Sequence, residues 1–125
     1  MDAILDTSVF IGPVELVAPE PMRAAVSVVT LAELQLGVLL AADPGVRAAR
    51  LAQFARVEAT FEAIGIDRRI ASAYADLVAA ARRSGRRPRP MDGLIAATAI
   101  VHHVPVYTRD RGYVGLPALE VVLIG

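Results

Sequence analysis

The sequence predicts one α/β domain over residues 1–125, with a parallel β-sheet covered by helices on both faces. Strand-like and helix-like segments alternate about five times along the chain. The strand-like runs are continuously apolar, which is typical of strands buried on both faces and therefore of parallel sheets. A chain of 125 residues fits a single domain with a core of its own.

The predicted strands are short apolar runs, several of them rich in valine, a residue that favours extended backbone. The first run, "AIL", ends directly on Asp6. The working crevice of such a sheet is expected at the carboxyl ends of the strands. The predicted strands cover residues 3–5, 24–29, 64–66, 104–108 and 119–124.

The predicted helices carry start and stop signals around an apolar stripe with steps of three or four residues. "DPG" marks a turn and a helix start, and Asp67 and Gly85 bracket the third helix. The segment "RDRGYVG" is expected to form a turn or a short helix. The predicted helices cover residues 31–42, 46–63, 67–85 and 91–103.

Composition excludes several classes of site. There is no cysteine, so disulfides and thiolate metal sites are absent, which is compatible with the reducing cytoplasm. All thirteen basic residues are arginine, which removes every mechanism that needs a lysine, and the net charge is zero. Hydrophobic residues make up 55% of the chain, but no apolar run reaches the roughly 20 residues that span a bilayer. The acidic N-terminus does not resemble a signal peptide.

Four acids fall at junctions between predicted strands and helices. Asp6 ends the first strand, Glu33 lies near the start of the helix after the second, Asp92 opens "MDGLIAATA", and Asp110 follows "VPVYT". Because these junctions lie on one edge of a parallel sheet, we expect the four acids on the same face of the molecule. Like charges gathered there would demand a counter-ion, and Mg²⁺ and Mn²⁺ prefer oxygen ligands.

Each acid also has a purely structural explanation. Asp6, Asp92 and Asp110 could each cap a helix N-terminus. "TLAE" at 30–33 matches a capping box in which Thr30 is the cap and Glu33 reaches back. Asp67 is expected to be a cap and nothing more. The adjacent pair His102 and His103 is expected at the far end of its helix, away from the acids.

Four segments, in order, resemble the PIN-domain ribonucleases, and specifically the VapC-type toxins of bacterial toxin–antitoxin pairs. They are "ILDTSVFI", "SVVTLAELQLG", "RPMDGLIAATAI" and "PVYTRDRGY". The resemblance implies a three-layer PIN-like fold with strand order 3-2-1-4-5. It also implies that Asp6, Glu33, Asp92 and Asp110 form a catalytic Mg²⁺ or Mn²⁺ site that hydrolyses RNA phosphodiesters.

Within that site, Asp6, Asp92 and Asp110 are expected to hold the metal, and Glu33 to ligate it directly or through water. Ser8 and Thr108 match polar positions that support the acids. The chain departs from many relatives in the last motif, where Gly112 precedes Tyr113 in place of another Asp. The fourth acid is therefore expected to be Asp110 alone.

Substrate and partners follow from the charges and the resemblance. Arginines at the end of the third helix and beside Asp110 are candidate phosphate contacts, although they also suit a helix C-terminus on a solvated loop. The resemblance implies a VapB-like antitoxin that covers apolar grooves, with helices 31–42 and 46–63 as candidate surfaces, and a homodimer. The candidate RNA-binding residues are Arg82, Arg83, Arg86, Arg87 and Arg109, with Arg89 in the same loop.

Other readings of the acidic edge are weaker. A receiver domain needs a lysine, and a haloacid-dehalogenase-type phosphatase needs a second Asp where Ser8 stands. Neither G-x-G-x-x-G nor G-K-[ST] occurs, which argues against nucleotide binding. A catalytically silent PIN-like module that only binds RNA or a partner remains the alternative.

Overall fold

The protein is built around a five-stranded parallel sheet in a computed structural model that describes residues 1–11 and 22–125. The strand order is β3-β2-β1-β4-β5, and every neighbouring pair is parallel. The predicted sheet and its order 3-2-1-4-5 are confirmed. The strands are β1 (Ala3–Leu5), β2 (Ala24–Ser27), β3 (Glu62–Ile64), β4 (Val106–Thr108) and β5 (Val121–Leu123).

Four α-helices in the described residues cover the sheet in pairs, α1 against α2 and α3 against α4. Short 3-10 helices follow β1 at Thr7–Phe10 and β4 at Arg111–Tyr113. The four helices are α1 (Val28–Leu40), α2 (Pro44–Thr60), α3 (Arg68–Arg83) and α4 (Pro90–His102).

The two faces of the sheet bury separate apolar clusters, because successive side chains of a strand point to opposite sides. Ile4 packs with Leu77 of α3 and Ile95 of α4. Leu5, its neighbour, packs on the other face with Val9 and with Val57 of α2. Burial on both faces explains why the central strands read as continuous apolar runs.

The second strand is two residues shorter than predicted, and the helix after it begins earlier. Ser27 caps α1, its Oγ accepting a hydrogen bond from the Val29 N–H at 3.0 Å. This cap overrides the preference of Val28 and Val29 for extended backbone. The predicted capping box at Thr30 is therefore wrong, and Glu33 lies in the second turn of α1.

The other boundaries shift by a few residues. The third strand is Glu62–Ile64 where the sequence predicted 64–66, and the last two strands are shorter than predicted. The predicted helix starts at Asp43 and Asp67 are confirmed, since both caps accept backbone N–H groups, from Val46 and Ile70 at 2.8 and 2.9 Å.

Two features of the fold place the acids. β1 lies between β2 and β4, so its carboxyl end, followed by Asp6, is at the centre of the sheet edge. Gly93 lets α4 approach α3 closely, because a Cβ on Gly93 would stand 2.8 Å from Cε2 of Tyr74. The start of α4, which carries Asp92, is thereby fixed against α3.

Candidate active site

Asp6 is the most buried acid of the site, with 3% of its surface exposed. Its Oδ2 accepts hydrogen bonds from Ser8 Oγ at 2.7 Å and from Thr108 Oγ1 at 2.8 Å. The two hydroxyl oxygens are themselves 3.2 Å apart. Ser8 and Thr108 thus fix one oxygen of Asp6. Asp6 also caps the short helix at Thr7–Phe10.

Tyr113 joins Asp6 to Asp92. Its hydroxyl lies 2.8 Å from Asp6 Oδ1 and 3.2 Å from Asp92 Oδ1. Burial raises the pKa of Tyr113 far above its ordinary value, and the negative charges of Asp6 and Asp92 raise it further. The phenol therefore stays protonated and acts as a hydrogen-bond donor.

The role of Tyr113 was not predicted from the sequence, in which it appears only as the aromatic residue that follows Gly112. The available signal was a hydroxyl-bearing aromatic three residues after Asp110 and close to the carboxyl end of a strand. Such a residue combines an apolar ring with a polar tip that needs a partner when buried.

Arg89 joins Asp92 to Asp110. Its Nε lies 2.9 Å from Asp92 Oδ2, and its Nη2 lies 3.2 Å from Asp110 Oδ2. The hydrogen bond and the negative charge of Asp92 raise the pKa of Arg89. Asp92 lies in the first turn of α4, whose N-cap is Arg89, so the prediction that Asp92 could be a cap is wrong. Asp110 does cap its 3-10 helix, its Oδ1 accepting the Gly112 N–H at 2.8 Å.

Glu33 is held by a separate pair of hydroxyls. Thr7 Oγ1 donates to Glu33 Oε1 at 2.7 Å, and Thr30 Oγ1 lies 2.9 Å from Thr7 Oγ1. Since the Thr7 proton is given to the carboxylate, Thr30 is the donor in the second bond. Glu33 is thus tied to the residue that follows Asp6, and the hydrogen bonds among the described residues do not link it to the other three acids.

The donor set suits a hard divalent cation, because it offers carboxylate and hydroxyl oxygens and no sulfur. The Arg89 guanidinium already acts as a cation between two of the acids. Within residues 1–11 and 22–125, however, no three acidic or histidine side chains stand close enough to hold one ion in this arrangement. An ion bound by these acids would have to displace the Arg89 guanidinium from Asp92 and Asp110, and the acids would have to move closer together.

The arginines of the candidate RNA-binding set lie in different surroundings. Arg86 donates to the backbone carbonyls of Val114 at 2.8 Å and Gly112 at 2.7 Å, so it braces the loop after β4. Arg87 is exposed and lines a cleft with Arg86, Arg89, Asp92 and Asp110.

The rest of this set is also exposed. Arg82 and Arg83 lie in the last turn of α3. Arg109 is exposed, its guanidinium lies near Gly125, and its backbone N–H donates to Ser8 Oγ at 2.9 Å. His102 and His103 end α4, as predicted, at the opposite end of that helix from Asp92.

The fold and the site together define the class of this protein. It is an α/β protein in which acids from separate strand ends lie together at the carboxyl edge of a parallel sheet. A sequence profile of the PIN domain matches residues 3–118, and the chain belongs to the PIN-domain family. The resemblance drawn from the four segments is confirmed.

Several similar proteins are named as VapC ribonucleases. Ribonuclease VapC4 of Mycobacterium tuberculosis is 42% identical over 127 residues, which cover 98% of this chain and 96% of the relative. A chain in the crystal structure of VapBC-5, a toxin–antitoxin system of M. tuberculosis, is 41% identical with a TM-score of 0.88, over 99% of this chain and 100% of that one. Toxin FitB of Neisseria gonorrhoeae is 32% identical over 87% of this chain and 88% of its own.

No helix in the described parts of the chain is both long enough and apolar enough to cross a membrane.

Proposed function

We propose that this protein is a Mg²⁺- or Mn²⁺-dependent endoribonuclease that acts as the toxin of a type II toxin–antitoxin pair and inhibits translation by cutting RNA. The observation that carries the proposal is the hydrogen-bonded chain Asp6–Tyr113–Asp92–Arg89–Asp110, which brings three acids to one edge of the sheet. The relatives named as VapC ribonucleases support it.

Asp6, Asp92 and Asp110 would hold the divalent cation, and Glu33 would approach it directly or through water. When bound, the cation would neutralise phosphate charge and activate the attacking water. Ser8 and Thr108 keep one oxygen of Asp6 occupied, so that the carboxylate cannot turn away from the pocket. Thr7 likewise occupies one oxygen of Glu33.

The RNA backbone would be bound by arginines around the cleft. Arg87 and Arg89 line it beside Asp92 and Asp110, and Arg109 lies next to Asp110. Guanidinium groups bind phosphate in a bidentate manner. Such contacts supply affinity and salt dependence but not sequence choice.

A VapB-like antitoxin would cover apolar surface on helices α1 and α2. The chain would also pair with a second copy of itself to form a homodimer. The exposed leucines of α1 are Leu36, Leu39 and Leu40, at 53%, 69% and 72%, and Val46 and Leu51 of α2 are exposed as well. Exposed apolar side chains concentrated in this way are typical of protein interfaces. We expect the pair to act in the cytoplasm, on an RNA present there.

The decisive experiment compares Asp6→Asn and Asp92→Asn with Asp67→Asn in an RNA-cleavage assay on antitoxin-free protein with Mn²⁺. Asp67 caps α3 through the Ile70 N–H and makes no hydrogen bond to the site acids, and Asn caps as well as Asp, so this control should cleave like wild type. We expect both site variants to lose cleavage while circular dichroism reports an intact fold. Wild-type activity in Asp92→Asn, the more exposed of the two, would refute the site.

One observation favours the alternative of a silent binding module. Arg89 occupies two of the acids, and no three acids among the described residues stand close enough for one ion. Antitoxin-free wild-type protein that binds RNA but never cleaves it, at any Mn²⁺ or Mg²⁺ concentration, would establish this alternative.

A further inference from the structure

We propose that Tyr113 is a positioning residue that keeps the Asp6 and Asp92 carboxylates close to the separation at which they can share a divalent cation. The inference deepens the proposed function and rests on it for the presence of a cation site.

The geometry of the shared hydroxyl sets the distance between the acids. Both Oδ1 atoms contact the same phenol oxygen, at 2.8 and 3.2 Å, so they cannot be more than 6 Å apart. Oxygens that share one Mg²⁺ lie about 4.2 Å apart at most, since each bond is about 2.1 Å. The hydroxyl therefore keeps the two acids within a small movement of the spacing needed for binding.

Without a bridging group the two carboxylates would separate, because like charges at this distance repel strongly in a partly buried pocket. Asp6 is 3% exposed and the Asp92 side chain 18%, so water screens them poorly. Tyr113 offsets the repulsion with a proton that both carboxylates can accept, and it adds no charge of its own.

The position of the hydroxyl is fixed by the packing of its ring. Tyr113 is 1% exposed and belongs to the apolar cluster that contains Ile95 and Leu116. The loop after it is held by Arg86, which donates to the carbonyls on both sides of Tyr113. A buried ring with a braced backbone gives the phenol oxygen little freedom to follow the acids.

No other described side chain donates to both acids. Ser8 and Thr108 bond only Oδ2 of Asp6, and Arg89 bonds Asp92 and Asp110. The spacing between Asp6 and Asp92 is thus assigned to a single hydroxyl, which a single substitution removes.

The test measures equilibrium binding of Mn²⁺ to the full chain, with the free ion counted by electron paramagnetic resonance, in wild type, Tyr113→Phe and Tyr107→Phe. Tyr107 is the matched control, because it lies on β4 and packs against the cluster on the opposite face of the sheet. Both substitutions keep the ring and remove one hydroxyl. Circular dichroism and thermal unfolding verify that both variants are folded.

We expect Tyr113→Phe to bind Mn²⁺ roughly tenfold more weakly, about the contribution of one hydrogen bond to a carboxylate, and Tyr107→Phe to bind like wild type. Recovery of RNA cleavage by Tyr113→Phe at saturating Mn²⁺ would further support a positioning role. Unchanged or tighter Mn²⁺ binding by folded Tyr113→Phe would overturn the inference and leave the nuclease proposal intact. Wild-type protein that binds Mn²⁺ and cuts no RNA would overturn the nuclease proposal while the binding comparison still decides the role of Tyr113.

Discussion

Arg89 and Asp92 face each other across the first turn of α4, with Nε 2.9 Å from Oδ2, so the acidic pocket contains a cation supplied by the chain itself. In the proposed site, a metal ion would have to compete with this guanidinium for the same carboxylate. The Arg89 side chain is 75% exposed, and ion pairs that water can reach are weak, so the competition is mild.

We therefore predict that Arg89→Gln binds Mn²⁺ about two- to fivefold more tightly than wild type, a range set by the small energy of exposed ion pairs. The measurement is a calorimetric titration with Mn²⁺ at low ionic strength. Arg87→Gln is the control, because Arg87 lines the same cleft and is also exposed. An equal gain in Mn²⁺ affinity in both variants would mean that the loss of a positive charge from the cleft, and not the contact of Arg89 with the acids, governs metal binding.

Thr7→Val should destabilise the fold by about 1–2 kcal/mol, because a nearly isosteric side chain leaves Glu33 and Thr30 without their buried partner. Urea unfolding measures the free-energy change. The control is Thr98→Val, at a buried threonine whose hydroxyl only adds a bond to the Leu94 carbonyl inside α4. If Thr98→Val lowered the free energy of unfolding as much as Thr7→Val, the hydrogen bond from Thr7 to Glu33 would have no special role in stability.

Tyr113 should make stability fall in alkaline solution. Its pKa is raised in the folded state, while an unfolded tyrosine ionises near pH 10. The contribution of protonated Tyr113 to folding stability is therefore complete below about pH 10. It is lost as the pH rises above this value, because the unfolded chain then releases a proton that the folded protein keeps.

The measurement is the ultraviolet absorbance of tyrosinate in wild type and Tyr113→Phe. As the pH is raised, both folded proteins should show the same change in tyrosinate absorbance. Wild type should gain one additional tyrosinate only when it unfolds. An additional ionisation in folded wild type, absent from Tyr113→Phe, would show that the phenol is not held as a buried donor.

Arg86 and Arg87 are predicted to differ in their effects on RNA binding, although they are adjacent in sequence. Arg87→Gln should reduce the slope of log affinity against log salt by about 0.7–1, the change expected for one lost phosphate contact. Arg86→Gln should leave the slope unchanged and lower the melting temperature, since Arg86 braces the loop after β4. Fluorescence anisotropy with a labelled RNA at several salt concentrations measures both slopes. A reduced slope in Arg86→Gln alone would reverse these assignments.

The placement of the acids could be predicted because it depends on chain connectivity alone. Asp6 and Asp110 follow strands and Asp92 lies at the start of a helix, and in a parallel sheet these positions share one edge. The start of α1 could not be predicted from propensity. Val28 and Val29 favour extended backbone, yet they form the first turn of α1, which Ser27 caps.

The links between the acids were beyond sequence-based reasoning. Tyr113 reaches Asp6 and Asp92 because a three-residue 3-10 helix aims its ring inward, a direction that no local pattern specifies. Arg89 appeared in the sequence as one of several basic residues in a loop, and its two contacts depend on the side-chain conformation. Long side chains on loops are located by tertiary packing and not by period or propensity.

The position of β1 in the middle of the sheet has a consequence for the order of events during synthesis. Asp6 precedes two of its hydrogen-bond partners, Thr108 and Tyr113, by 102 and 107 residues. At about 5–20 residues per second, a nascent chain spends several seconds on the ribosome before these partners exist. A nascent chain that has not yet reached Thr108 and Tyr113 therefore lacks the groups that organise the Asp6 carboxylate.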